Sequence, residues 1–260
     1  MNKRLIFCCT PGRSGTNLLA KLLSLVPSIC SVHEAKPSFD NYFWRTTNPI
    51  LDYDKTSYIY KKFWELKLKA IERDTDKLIY SETSHMTFKG FIEFLPNDIE
   101  FSVIFLHRDP RDVAKSLYAI NDIPGRSRTG KRVCFDPSDN HNIINIADKW
   151  TKLSNYQLCY WYVLEMYKRS EMYWSLCHSK LRAKITLSQL LEPTKFQAML
   201  AELQLPTNID LTAYENITSA KWNTKSVRKK HVYQHRVIVG LRSKVDCKEE
   251  EKAINNLITH

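Results

Sequence analysis

This sequence predicts an α/β fold of three layers, with a mainly parallel central sheet between helices, and three observations carry the prediction. Short apolar runs of strand length alternate along the 260 residues with amphipathic stretches of helical length. The run FSVIFLH at 101–107 is apolar almost throughout, as strands covered on both faces of a parallel sheet are. The first apolar run passes directly into CTPGRSGTN, a glycine-bearing turn, and from there into a helical pattern. That strand–turn–helix order is where open α/β sheets hold anions.

The elements follow in order. Residues 5–10 read as a buried strand, and 17–26 as a helix stopped by Pro27, whose ring nitrogen cannot continue the hydrogen-bond ladder. A short second strand is expected at 29–33. Residues 40–57, DNYFWRTTNPILDYDKTS, read as a loop rich in aromatics and acids, and 58–73 as a helix. Residues 77–81 and 101–107 supply two more strands. In Asp109-Pro110-Arg111-Asp112 a helix starts, with Asp109 as N-cap, Pro110 in the first turn, and Val113, Leu117 and Ile120 on one face. Residues 121–142 carry Pro124-Gly125, Gly130 and Asp136-Pro137 among basic side chains and read as a loop with the makings of a lid. A long aromatic-rich helical stretch is expected over 143–173, with Trp150, Tyr160 and Trp161 in the core. Residues 182–187 read as the fifth strand and 193–203 as a helix ending before Leu205-Pro206. No linker-like tract divides the chain, so residues 1–260 are read as one domain.

The excess of 39 Lys and Arg over 28 Asp and Glu, a formal charge of +11, favours an anionic partner. Nucleic acid is one such partner, but the basic residues are spread along the whole chain and no RNP, KH or helix-turn-helix signature is present. A nucleotide kinase is disfavoured too, because the turn lacks the Gly-Lys-[Ser/Thr] of a nucleotide P-loop. The seven cysteines, at 8, 9, 30, 134, 159, 177 and 247, show neither C-x-x-C nor zinc-site spacing. Reduced, mostly buried thiols and no metal are expected. The apolar part of MNKRLIFCCT is too short for a signal peptide, and no run of about 18 apolar residues occurs. A cytoplasmic protein without a membrane partner is the expectation.

Three stretches resemble motifs of the sulfotransferases that use 3′-phosphoadenosine 5′-phosphosulfate (PAPS). The sequence from Pro11 through Gly12, Arg13, Ser14, Gly15 and Thr16 to Asn17 is similar to that family's 5′-phosphosulfate loop, P-[KR]-S-G-T-[TN], with Gly12 inserted. IFLHRDPRDVAKS, ending at Ser116, is similar to its 3′-phosphate motif, in which an Arg at a strand end and a Ser two helical turns later grip the 3′-phosphate. The resemblance gives those roles to Arg108 and Ser116. ITLSQLLEP, ending at Pro193, is similar to the Y-E-D-L-x-x-x-P segment, with Leu-Ser in place of Tyr-Glu. What the resemblance implies is a P-loop-like sulfotransferase fold, PAPS as co-substrate leaving as adenosine 3′,5′-bisphosphate, and no metal. It also implies that the basic segment KWNTKSVRKKHVYQHR folds over the nucleotide and brings Arg228 or Lys229 to the 3′-phosphate. A solvated basic face is the alternative reading of that segment.

Physical chemistry points the same way. Backbone amides of residues 13–17 and the helix N-terminus suit an anionic phosphosulfate, and Arg13 adds a cationic fork where leaving-group charge develops. Sulfuryl transfer asks a protein to hold donor and acceptor in line, stabilise the leaving phosphate, and take a proton from the attacking group. For that base there are two candidates. Glu34 stands at the distance after the loop where the resemblance to tyrosylprotein and glycan sulfotransferases implies a catalytic Glu. His85, in LIYSETSHMTF, is one residue out of register with the K-T-H segment of cytosolic sulfotransferases. Glu34 is preferred, and as a base it needs a pKa raised by burial; an ion pair with Lys36 or Arg13 is its structural alternative, and a core position that of His85. Glu82 and Ser84 are expected in the same cleft. The acceptor is expected to be a small molecule, with Tyr42, Trp44 and Asp52 suited to a cation by charge and ring-face contact. Glycan and protein acceptors are the alternatives. The chain also looks like bacterial tailoring sulfotransferases of natural-product pathways, such as those of saxitoxin-type guanidinium toxins.

Overall fold

The computed structural model describes residues 3–39, 53–178, 180–220 and 247–258. In chain order its elements are β1 (Arg4–Cys9), α1 (Thr16–Leu23), β2 (Ile29–Val32), α2 (Tyr53–Asp74), β3 (Ile79–Glu82), β4 (Phe101–His107), α3 (Pro110–Ala119), α4 (Arg128–Val133), α5 (Asn155–Leu176), β5 (Arg182–Thr186), α6 (Pro193–Glu202), α7 (Leu211–Ser219) and α8 (Lys248–Ile258). They fall into two compact units, Met1–Arg108 with Ser170–Trp222, and Asp109–Arg169 with Asn223–His260.

The first unit holds the sheet, ordered β2-β3-β1-β4-β5 and parallel at every pairing. Alternation along the strands sends successive side chains to opposite faces. On one face Ile6, Cys8, Ile104, Leu106, Ala183 and Ile185 pack against Leu19 and Leu22 of α1, Phe196 and Leu200 of α6, and Tyr214 of α7. On the other, the Phe7 ring meets Trp64 of α2 edge-on at 5.6 Å, and Phe105 meets Trp174 of α5 at 5.2 Å. Each large apolar side chain wholly removed from water contributes about 1.5–3 kcal/mol, so the sheet is held from both sides. This is the predicted three-layer α/β arrangement.

In the second unit Val113, Ala114 and Leu117 of α3 share a core with Trp161, Val163 and Met166 of α5 and Ile254 of α8. Asp109 caps α3 as expected, its carboxylate accepting from the amides of Arg111 and Asp112 at 2.8 and 3.4 Å. Several other elements differ from the sequence reading. Residues 121–142 are not all loop, since Ser127 accepts from the amide of Gly130 and starts α4. The stretch 143–173 is helical only from Asn155. Before it, the amides of Ile143 and Ile144 are taken by the Glu165 carboxylate at 3.0 and 2.7 Å, and the Ile144 carbonyl accepts from the Trp161 indole at 2.8 Å, so side chains replace the helical ladder. Tyr160 and Trp161 are buried as expected, whereas Trp150 is half-buried.

In the first unit α2 begins at Tyr53, inside the expected loop, because neither glycine nor proline interrupts the sequence from there to Arg73. Helix α1 ends at Leu23 instead of Val26, and the amides of Leu25 and Val26 reach back only three residues. Helices α7 and α8 form where no element was read. The seven cysteines are free thiols, all buried except the intermediate Cys30. Among the described residues no helix is long and apolar enough to cross a membrane.

Candidate functional site

As β1 ends the chain turns sharply, with φ +87° at Gly12, +54° at Arg13 and +100° at Gly15. Glycine is needed twice. A Cβ on Gly12 would lie 3.2 Å from the His85 ring, and one on Gly15 would lie 2.5 Å from Cδ1 of Leu187, at backbone angles L side chains rarely adopt. Arg13 does carry a side chain through such an angle, a strain of about 1–3 kcal/mol that its surroundings must offset. The Arg108 guanidinium, at the exit of β4, donates from Nη1 to the Arg13 carbonyl at 3.1 Å, and the Ser14 hydroxyl donates to the Gly12 carbonyl at 2.9 Å. Gly15 is the N-cap of α1 and no side chain caps that helix, so its first amides suit an anion. Thr10, buried at the mouth of the loop, has a hydroxyl with no hydrogen-bond partner among the described residues. That orphaned donor, with the amides of a tight loop, fits a multi-oxygen anion such as a phosphosulfate.

Glu34 follows β2 and His85 follows β3, and because these strands pair, the two residues meet. His85 Nδ1 lies 2.9 Å from Glu34 Oε1. An ionised carboxylate only accepts, so Nδ1 carries the proton and Nε2 holds the lone pair. The Cγ–Cδ2 edge of the same ring faces Gly12. Glu34 is held down at about 2, first by the hydrogen bond from His85 against the opposing effect of burial, with the charges of His85, His33 and Lys89 assisting. His85 is pushed below the usual 6.5, first by burial and then by Lys89, while Glu34 pulls the other way. At neutral pH the pair is therefore a carboxylate and a neutral imidazole. The sequence reading required the Glu34 pKa to rise; it falls, because His85 supplies a donor that outweighs burial. The Glu34 carboxylate thus meets His85, where Lys36 or Arg13 was the partner considered.

The neighbouring residues fix this pair. The Thr83 hydroxyl donates to the Thr16 carbonyl at 2.9 Å, and the Thr83 carbonyl accepts from His33 Nδ1 at 3.0 Å, tying the start of α1 to the ends of β2 and β3. Glu82 and Ser84 do not line an open cleft as expected. Both are buried, Glu82 against Lys67 and Ser84 with its hydroxyl accepting from the Met86 amide at 3.2 Å. Thr83, Lys67 and the buried Lys89 were missed. For Lys67 a signal existed: it continues the row Tyr60, Phe63, Trp64, Ala70, Ile71 at helical spacing, on the face that turns inward.

Leu187, in the third motif stretch but not read as a site residue, reaches Gly15 of the loop. Asn17 is exposed on the first turn of α1 and Thr16 is buried there. Ser116 is half-buried on α3, in the second unit, and Arg108 closes the first. Tyr42, Trp44, Asp52, Arg228 and Lys229 lie outside the described residues. Among the described residues no three His, Cys, Asp or Glu side chains converge where they would hold a metal ion.

The model of the sulfotransferase domain family matches residues 3–181, a span that contains the loop, Glu34, His85, Arg108 and Ser116. No curated protein matches the chain. Among solved structures, the sulfotransferase domain from the curacin biosynthetic pathway is similar with a TM-score of 0.50 and 13% identity, over 94% of this chain and 98% of that one. At that identity the likeness speaks for the fold.

Proposed function

Because the chain belongs to the sulfotransferase domain family, we propose that it moves a sulfuryl group from PAPS to a hydroxyl or amine of a small cationic acceptor in the cytoplasm. The observation that carries this reading is the Glu34–His85 pair set against Gly12, a base beside an anion loop. The amides of residues 12–17, the Thr10 hydroxyl and Arg13 bind the 5′-phosphosulfate, and Arg108 takes the 3′-phosphate. His85 Nε2 accepts the acceptor's proton as the new bond to sulfur forms and the bond from sulfur to the phosphate oxygen breaks. Glu34 Oε1 keeps Nδ1 protonated and steadies the imidazolium that results. Arg13 stabilises the charge left on the departing phosphate.

A cationic acceptor is supported by the other side of Glu34. Its Oε2 lies 4.0 Å from His33 Nε2, and the carboxylate side chain is 42% exposed. An exposed carboxylate suits an ammonium or guanidinium group, the chemistry of guanidinium natural products of the saxitoxin type. The test is a screen of amine, guanidine and hydroxyl acceptors with PAPS, read by intact mass. A sulfated cationic product formed by the wild type and strongly reduced in His85→Asn is expected; near-normal turnover by His85→Asn would contradict the assignment of the base.

A further inference from the structure

Lys67 and Glu82 form an ion pair of 2.6 Å in which both side chains are wholly buried. Burial of two charges costs desolvation that apolar residues would not incur, so such a pair is weak evidence of a role in stability. The partners of Lys67 suggest another. Besides Glu82, its ammonium donates to the carbonyls of Ala35 at 2.8 Å and Pro37 at 3.0 Å, which uses all three of its protons. The Tyr80 hydroxyl donates to the same Glu82 oxygen at 2.8 Å. Ala35 follows Glu34 directly, and Glu82 precedes His85 by three residues, so one side chain joins the two segments that carry the proposed pair. Glu34 itself stands at φ +52°, a left-handed conformation that a residue with a side chain keeps only where its flanks are fixed.

We propose that Lys67 is a positioning residue for sulfuryl transfer: anchored by Glu82, it holds the carbonyls of Ala35 and Pro37 and so fixes the angle at which the Glu34 carboxylate meets His85. The proposal rests on the Glu34–His85 reading above. It acts through the backbone and leaves the donor loop untouched.

The test follows the His85 ring through a pH titration by NMR, its resonance assigned by its loss in His85→Asn. Wild type is compared with the double variant Lys67→Met/Glu82→Met, in which no charge is left unpaired, and with Glu34→Gln. The double variant is expected to fold, to bind adenosine 3′,5′-bisphosphate as the wild type does, and to titrate His85 at lower pH. The Glu34 carboxylate raises the His85 pKa, and its pull weakens when the angle is lost, while burial, Lys89 and His33 remain. Its kcat is expected to fall by about tenfold to a hundredfold, as misplacement of a reacting group does. A folded double variant with the wild-type titration of His85 overturns the proposal. Glu34→Gln that leaves His85 unmoved removes the underlying pair instead, a separate result. Should the apolar pair not fold, Lys67→Gln/Glu82→Gln carries the same expectation, and failure of both to fold assigns Lys67 to stability alone and likewise overturns the proposal.

Discussion

Neutral imidazole beside an ionised carboxylate is the state that burial, Lys89 and the 2.9 Å contact impose on His85 and Glu34. A base with its pKa pushed down works to lower pH than usual, so the acid limb of kcat/KM is expected to have its midpoint below the ordinary histidine value of 6.5. Glu34→Gln should move that midpoint lower still, since the upward pull of the carboxylate is gone. A profile centred above 6.5 in the wild type would contradict this. His85→Asn and Glu34→Gln are each expected to lower kcat by about 10²- to 10⁴-fold, the former more, with donor affinity kept in both. Stability follows the same signs. Glu34 contributes fully above its unfolded value near 4.5, and the contribution is lost as pH falls towards 2. His85 binds its proton in the unfolded chain before it does in the folded one, so stability also falls as pH drops below 6.5. Both residues were legible in the sequence, but as rivals. They stand 51 residues apart and meet only because β2 and β3 pair in parallel, which no local pattern reveals.

Helix starts written in side chains were readable where the cap is local and unbroken. Asp109-Pro110 gave α3 its first residue, and Asp109→Ala is expected to lower stability by about 0.5–2 kcal/mol in denaturant unfolding, with Asp109→Asn costing much less. The same reasoning would have placed α5, since Ser154 and Gln157 form a reciprocal capping box, each side chain bonded to the other's amide at 3.1 and 2.8 Å. The aromatic run before it masked that signal. What could not be read is why 143–154 stays irregular, because Glu165 lies more than 20 residues downstream of the amides it satisfies. In the loop after β1 the glycine at Gly15 is the sensitive position. Gly15→Ala forces φ +100° on a side chain and pushes against Leu187, and it should cost about 1–3 kcal/mol and weaken adenosine 3′,5′-bisphosphate. Unchanged nucleotide affinity in a folded Gly15→Ala variant would remove the loop from the donor site.

Every candidate group of the first unit leaves a carboxyl end of the sheet: the loop after β1, Glu34 after β2, His85 after β3, Arg108 after β4 and Leu187 after β5. A parallel sheet with β1 between β3 and β4 opens its crevice at that edge, which is why a fold legible from alternating elements also pointed to the candidate site. Nucleotide choice belongs to the molecule as a whole. Adenosine 3′,5′-bisphosphate is expected to raise the melting temperature clearly more than ATP does, a ligand at a hundred times its Kd being worth about 2.7 kcal/mol. The most direct test of the account is a calorimetric titration of adenosine 3′,5′-bisphosphate and adenosine 5′-phosphate into wild type and Arg108→Ala. The wild type is expected to prefer the bisphosphate. Arg108→Ala should weaken both nucleotides, because Arg108 also holds the Arg13 carbonyl, but weaken the bisphosphate by much more. Equal losses for the two nucleotides, or a wild type that does not distinguish them, would contradict it.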